Sequence, residues 1–253
     1  MIPIKTPDEI EGLRRSAALL VQTFKAVEAA LRPGVATETL DAIAFETIRR
    51  GGGIPAFKGY NGYPASVCVS IDEQVVHGIP GSRTIAEGEI VSVDIGVNKD
   101  GFFTDAAKTV AIGAVSAEKR NLLKATVEAL HAGIHKCRAG NRLSDISHAV
   151  QIAVESKGYS VVRELVGHGI GRAMHEEPQI PNFGSPHRGP KLEAGMVFAI
   201  EPMVNMGSEK VHIQEDGWTV SSADGLPSAH FEHTVLITND RPQVLTWGIE
   251  DSR

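Results

Sequence analysis

Residues Glu89–Val110 read EIVSVDIGVNKDGFFTDAAKTV. Two runs rich in Val, Ile, Phe and Thr flank Asn98-Lys99-Asp100-Gly101, which has the composition of a turn, so the stretch predicts a β-hairpin. With the hairpin centred on those turn residues, opposing positions sum to 199, and Asp94 and Asp105 become direct cross-strand partners with Cβ atoms about 4.5–5.5 Å apart. Two like charges so placed destabilise a bare sheet; a cation between them, or a proton on one of them, removes the conflict. Taken alone, the stretch is also compatible with a solvated face.

Upstream of the hairpin, Thr6-Pro7-Asp8-Glu9 carries a capping box with proline at the first helical position. Ile10, Leu13, Ala17, Leu20, Phe24, Val27 and Leu31 then recur at helical spacing until Arg32-Pro33-Gly34. A second helix is predicted from about Glu38 to Arg50, with Leu40, Ile43 and Ile48 on its apolar face, ending at Gly51-Gly52-Gly53. Val67, Val69 and Ile71 alternate as a strand leading to His77.

The plan repeats downstream. Ser116 opens a helix with Leu123, Val127, Leu130, Ile134 and Cys137 as its apolar positions, and another helix runs to Lys157-Gly158. A shift of 106 residues lays Arg32 on Arg138, Gly34 on Gly140, Leu40 on Ile146, Ile48 on Val154 and Gly52 on Gly158. The expected architecture is a single α+β domain of two like halves, approximately residues 1–112 and 113–253, whose antiparallel sheets merge under a layer of helices.

The 253 residues are 42% hydrophobic, ample for a substantial core, and the net charge of -6 with no Lys/Arg block gives no footprint for nucleic acid. The N-terminus has no apolar signal region and no apolar run is long enough for a bilayer, so a cytoplasmic protein without membrane contact is expected. Two cysteines, Cys68 and Cys137, fit a reducing compartment and exclude a four-cysteine zinc site.

The second half supplies groups that could complete a metal site. His168 lies among glycines in Val166-Gly167-His168-Gly169-Ile170-Gly171, after a strand-like run Ser160–Val166, and glycine there lets backbone crowd close to a ligand. His175 follows in Met174-His175-Glu176-Glu177-Pro178. Glu201 ends the buried-strand run Met196–Ile200, and Glu232 repeats that situation before His233–Ile237. An acid at the end of an apolar strand is costly to bury unless it is paired or bound to metal, although either could be a strand-end surface charge. Four carboxylates and one imidazole on separate strands meet the needs of a two-metal site, and mixed oxygen and nitrogen donors suit Mn, Fe, Co or Zn. The chemistry such a pair implies is hydrolysis.

Seven ordered motifs resemble the type I methionine aminopeptidases of the M24 peptidases: Val76-His77-Gly78-Ile79-Pro80, Val93-Asp94-Ile95-Gly96, Thr104-Asp105, Gly167-His168-Gly169-Ile170-Gly171, His175-Glu176-Glu177-Pro178, Ile200-Glu201-Pro202-Met203 and Phe231-Glu232-His233-Thr234. The resemblance covers nearly the whole chain. It implies the pita-bread fold and removal of the initiator methionine from nascent polypeptides whose second residue is small. It also implies two divalent metal ions on Asp94, Asp105, His168, Glu201 and Glu232, with Asp105 and Glu232 bridging and Glu201 helping to take the water proton. His175 is implied to hydrogen-bond the scissile carbonyl, and His77 to contact the scissile amide. Tyr60, Tyr63, Cys68 and Trp218 are implied for the methionine pocket; Phe57 stands where relatives often have cysteine, and Met174 where they often have phenylalanine.

Only 30 residues separate Glu201 from Glu232, leaving no room for the helical insertion of type II enzymes, and the first helix begins near residue 7 without a zinc-binding extension. A minimal, bacterial-style monomer is expected. Ribosome association would suit the inferred role, without a basic patch to support it. The bulky Ile2 predicts that the chain retains its own Met1. Two further readings remain open at this level: a proline-directed peptidase of the same fold, and a non-catalytic pita-bread binding protein.

Overall fold

The computed structural model describes residues 2–249, so the predicted retention of Met1 lies outside the described residues. Helix α1 (Pro7–Ala30) starts where the sequence places it, with Thr6 Oγ1 accepting from the Glu9 amide at 3.3 Å and the Glu9 carboxylate accepting from the Thr6 amide at 3.0 Å. Leu13, Ala17, Leu20, Phe24 and Val27 face inward. Helix α2 (Thr37–Arg50) follows, then the short strand β1 (Ile54–Pro55), β2 (Val67–Ile71) and β3 (Gln74–Val76).

The hairpin is β4 (Ile90–Lys99) and β5 (Phe102–Ala111), but its register differs from the predicted one. Lys99 pairs with Phe102, so the loop is two residues long, and both Asp100 (φ 56°) and Gly101 (φ 78°) are left-handed as a type I′ turn requires. Asp94 therefore lies opposite Ala107, and Asp105 opposite Gly96. The shift in partner is two residues, an even number, which keeps both aspartates on one face as diagonal neighbours.

The second half has α3 (Ala117–Lys136), α4 (Leu143–Glu155), β6 (Ser160–Val161), β7 (Val166–Gly169), β8 (Glu176–Pro181), β9 (Val197–Ile200), β10 (Met203–Asn205), β11 (Val211–Ile213), β12 (Val220–Ser222), β13 (Ser228–His230), β14 (His233–Leu236) and β15 (Gln243–Val244). The predicted continuous strand over Ser160–Val166 is two strands in two sheets: β6 pairs with β10, whereas β7 pairs with β8 and β9. Ser116 caps α3 through the Lys119 amide, but the buried stripe of that helix is Leu122, Ala125, Thr126, Ala129, Leu130, Gly133 and Ile134, while Leu123 and Val127 are only half-buried. Helix α4 comes so close at Gly133 that a Cβ there would stand 2.8 Å from Val150.

All strand pairs are antiparallel, in one sheet of β1, β2, β4 and β5, one of β7, β8, β9, β14 and β15, and two three-stranded sheets. The two larger sheets meet where β5 runs beside the segment leading into β14. There the Ala107 and Glu232 amides bond to each other's carbonyls at 3.3 and 2.8 Å. Glycines related by the 106-residue shift share a left-handed backbone: Gly34 (φ 85°) with Gly140 (φ 98°), and Gly52 (φ 73°) with Gly158 (φ 82°). Among the described residues no helix is long and apolar enough to cross a membrane.

Candidate active site

The seam between the two sheets assembles the acids. Thr234 Oγ1 accepts from the Asp105 amide (3.0 Å) and donates to the Asp105 carbonyl (2.7 Å), while Thr109 Oγ1 does the same for the His230 amide (2.9 Å) and carbonyl (2.8 Å). These two hydroxyls extend the Ala107–Glu232 pairing on either side. They hold Asp105 and Glu232 across the seam, and ligand atoms of Asp105, His168 and Glu232 lie within 4.8 Å of one another. Asp94 completes the first-half face as the diagonal neighbour of Asp105, and both line the same cavity. Glu201 follows the end of β9, with its backbone carbonyl held by Asn182 Nδ2 at 3.0 Å and its carboxylate 3.5 Å from His168 Nε2.

His168 lies within β7 rather than after a strand. Its flanking glycines make room for neighbouring strands and not for a ligand: a Cβ on Gly167 would stand 2.5 Å from the Ala199 carbonyl, and one on Gly169 2.1 Å from that of Glu177. The His168 Nδ1–H donates to the Gly169 carbonyl at 2.9 Å, which leaves Nε2 as the lone-pair nitrogen turned toward Glu201. His175 stacks obliquely on it, ring centroids 4.3 Å apart, and its own Nδ1 meets the Tyr60 hydroxyl at 2.7 Å. His77 follows β3 in a left-handed conformation (φ 60°), a strained backbone held by the next residue, where a Cβ on Gly78 would stand 2.2 Å from the Val69 carbonyl.

A cavity of about 190 Å³ opens beside the acids, and every residue nominated from the sequence lines it, together with Asn61. Cys68 is the β2 residue paired with Asp94, so the apolar wall and the acids share one face of the sheet. Phe57 covers Gly96, where a Cβ would come within 2.5 Å of its ring. The Tyr63 ring meets Trp218 edge-on at 5.1 Å, and the Tyr63 hydroxyl reaches the Val67 and Gly78 carbonyls at 3.0 Å each. Met174 is 2% exposed and closes the far side.

Burial raises Asp94 to about 7. Burial, then the charges of Glu232 and Asp94, raises Asp105; burial, then Asp105 and Asp94, raises Glu201; burial, then Glu201 and Asp94, raises Glu232. The imidazoles move the opposite way: burial, then His175, lowers His168 to about 4 and also lowers His77, and burial alone lowers His175. Neutral imidazoles and mutually repelling acids are what a metal needs and what a bare protein tolerates poorly. Asp94 Oδ1, Asp105 Oδ1 and Glu232 Oε1 are buried with no hydrogen-bond partner among the described residues. The donor set thus fits divalent metal, with oxygen atoms left free to bind it.

One residue of the centre has no counterpart in the sequence reading. His230 is 2% exposed, its Nε2 unpartnered and 3.9 Å from both Glu201 and Glu232. Burial, then His77, lowers it to about 3. In the sequence only its place two residues before Glu232 sets it apart, and that spacing gains meaning once the Ala107–Glu232 pairing is known.

Comparison with known proteins matches residues 11–239 to "Metallopeptidase family M24". The chain belongs to that family. It is 51% identical to the methionine aminopeptidase of Clostridium perfringens over 97% of this chain and 99% of that one. It is 48% identical to methionine aminopeptidase 1 of Bacillus subtilis over the same shares. The crystal structure of methionine aminopeptidase from Thermotoga maritima superposes with a TM-score of 0.96 at 43% identity, covering 97% of this chain and 99% of that one. A prolidase from Pyrococcus furiosus shares the fold (TM-score 0.79, 22% identity), with 65% of its length covered. This M24 chain accordingly has the pita-bread architecture expected from its motifs, and as a metallopeptidase it uses divalent metal.

Proposed function

We propose that this chain removes the N-terminal methionine from nascent polypeptides whose second residue is small. The observation that carries the reading is the juxtaposition of a side-chain-sized apolar pocket with a buried acid and imidazole cluster on one sheet face. Asp94, Asp105, His168, Glu201 and Glu232 would hold two divalent ions, with Asp105 and Glu232 the carboxylates that face each other across the seam. When bound, the ions supply the charge that polarises the scissile carbonyl and acidifies an attacking water.

The chain's own residues do the rest. Tyr63, Cys68, Phe57, Met174 and Trp218 take up the thioether side chain, an unbranched group that adapts to an irregular apolar wall. Tyr60, donating its hydroxyl proton to His175 Nδ1, leaves Nε2–H free to donate to the scissile carbonyl as negative charge develops there. Glu201 accepts a proton from the attacking water, and His77 stabilises the departing amine. An adjoining cavity of about 200 Å³ shares His77, Asp94, His168, His175 and Glu201, with Val76, Glu164, Leu165, Val166, Met203 and His230 completing its walls. It is the space that the structure offers the second residue of the substrate. The working form is a cytoplasmic monomer.

Met-Ala-Ser, Met-Leu-Ser and Gly-Pro-Ala, offered to metal-stripped protein with Mn, Fe, Co or Zn restored, test this. Metal-dependent cleavage of Met-Ala-Ser alone, lost in Asp105→Asn, is expected. Preference for Gly-Pro-Ala would transfer the chain to proline-directed peptidases, and folded protein inert with every metal would be a binding protein.

A further inference from the structure

The loop that presents His175 is tied to a residue outside the site. Residues 170–175 connect β7 to β8, and Glu176 closes that loop on itself: its Oε1 accepts from the Arg172 amide at 2.7 Å and the Ala173 amide at 3.2 Å. The other carboxylate oxygen accepts from Lys5 Nζ at 2.5 Å. Lys5 precedes α1 and is 6% exposed, an unusual place for an ammonium unless paired. Its backbone is fixed too, the Lys5 amide donating to the Gly195 carbonyl at 2.8 Å. The loop leaves a channel for it, since a Cβ on Gly171 would stand 2.4 Å from both Lys5 Cε and Nζ. A second tie runs parallel: the Arg172 guanidinium lies over the Phe102 ring at 3.9 Å and donates to Glu9 at 3.3 Å.

We propose that Lys5 is a positioning residue for catalysis: its ammonium orients the Glu176 carboxylate, which sets the curvature of the loop and so the place of the His175 imidazole between Tyr60 and His168. The inference rests on the reading of His175 as the donor to the scissile carbonyl. Lys5 touches neither the acids nor the pocket, so its contribution falls on turnover and leaves metal affinity alone. A positioning group acts through the group it positions. Its removal therefore has no further effect once His175 is gone, whereas a purely structural pair would weaken both backgrounds alike.

The test uses the full chain as Lys5→Met, His175→Ala and the double variant. With metal supplied, Lys5→Met is expected to lower kcat on Met-Ala-Ser about tenfold with KM nearly unchanged, as a small misplacement of a catalytic group does. Mn²⁺ affinity by calorimetry should equal that of the parent, and the double variant should be no slower than His175→Ala. Independently of activity, in metal-free Lys5→Met the Arg172 and Ala173 amides should exchange about tenfold faster or more, as in a loosened loop, and the His175 imidazole ¹⁵N signals should shift. The His168 signals, reached only through the ring contact with His175, should shift less. Should Lys5→Met not fold, the isosteric Glu176→Gln gives the same readouts. Additive loss in the double variant, loss of Mn²⁺ affinity, or unchanged amide exchange and His175 signals would each overturn the proposal. A parent protein that does not cleave Met-Ala-Ser defeats the proposed function instead, and the exchange and imidazole measurements still decide whether Lys5 shapes the loop.

Discussion

Thr109 in β5 grips the backbone of His230, and Thr234 in β14 grips that of Asp105, so each half of the molecule clasps the other with one hydroxyl. Two residues before each threonine the halves diverge. Ala107 stands in the first half and Glu232 in the second, directly paired through their backbones. Two residues earlier again, the first half has Asp105 and the second His230. The frame is alike in the halves and the donors are not. Backbone pairing and threonine hydroxyls bring the two segments together without regard to chemistry, and the side chains at these few places give the seam the donors of the proposed metal centre.

Glu232→Ala gives the second half the residue of the first and is the strongest test of that difference. We expect turnover of Met-Ala-Ser to fall by about a thousandfold, the scale on which a key charge-stabilising group matters. The metal-free protein should nevertheless melt at a higher temperature, because a buried carboxyl beside Glu201 and Asp94, with Oε1 unpartnered, is gone. Thermal melts with and without metal, set beside the assay, check both halves of the expectation. A metal-free melting point that drops would mean that Glu232 is structural in its own right.

The same repulsion sets a pH dependence. Burial raises Asp94 to about 7 from an ordinary 3.8, and Asp105, Glu201 and Glu232 shift in the same direction. Between about pH 4 and 7 the folded, metal-free protein therefore keeps protons that the unfolded chain has released. The buried imidazoles work the other way below about pH 6.5, where the unfolded chain binds protons that His168 and His230, lowered to about 4 and about 3, do not; above that the acids act unopposed and stability falls as pH rises. Chelator-treated protein should lose melting temperature from about pH 6.5 to about pH 8 far more than metal-loaded protein, and metal binding at about pH 6 should release protons, measurable by calorimetry in buffers of different ionisation enthalpy. A flat profile for the metal-free protein would show that the acids are already neutralised by something other than metal.

The face of the hairpin was legible because alternation and an Asp-Gly turn are local signals. Its register was not, because the choice between a two-residue and a four-residue loop depends on Asp100 and Gly101 both taking left-handed backbone. Asp94 and Asp105 could be nominated as a hairpin pair, Glu201 and Glu232 as strand-end acids and His168 from its glycine flanks, and the ordered motifs gave them roles. Their convergence depends on the seam, where Thr109 carries no mark in the sequence beyond being a threonine in a strand, and Thr234 enters only as the last residue of a motif with no role attached. Helix α3 misled for a related reason: large apolar residues drew the stripe toward Leu123 and Val127, whereas the close approach of α4 at Gly133 turns a neighbouring face inward. His230 and the Lys5–Glu176 pair are visible only once distant segments are side by side.

The two clasps should be separable. Thr234→Val and Thr109→Val each leave a buried amide and carbonyl less well satisfied, at a cost of about 1–3 kcal/mol in denaturant unfolding. Only Thr234 holds a proposed ligand, Asp105, so turnover should drop about tenfold more in Thr234→Val than in Thr109→Val. Equal losses of activity would place His230, which Thr109 holds, on the same footing as Asp105.

The smallest effects concern the starts of the two long helices. Thr6 accepts from the Glu9 amide and Ser116 from that of Lys119, both at 3.3 Å, so Thr6→Ala and Ser116→Ala should each cost about 1 kcal/mol. As caps they are equivalent, and if capping were all that mattered neither would alter turnover. But Thr6 follows Lys5 directly, and the residues Lys5 and Glu9 on either side of that cap tie down Glu176 and Arg172 in the His175 loop. Equal stability losses with slower turnover in Thr6→Ala alone would therefore trace the asymmetry of the halves to the segment ahead of α1, and equal turnover would confine that segment's influence to the Lys5 side chain itself.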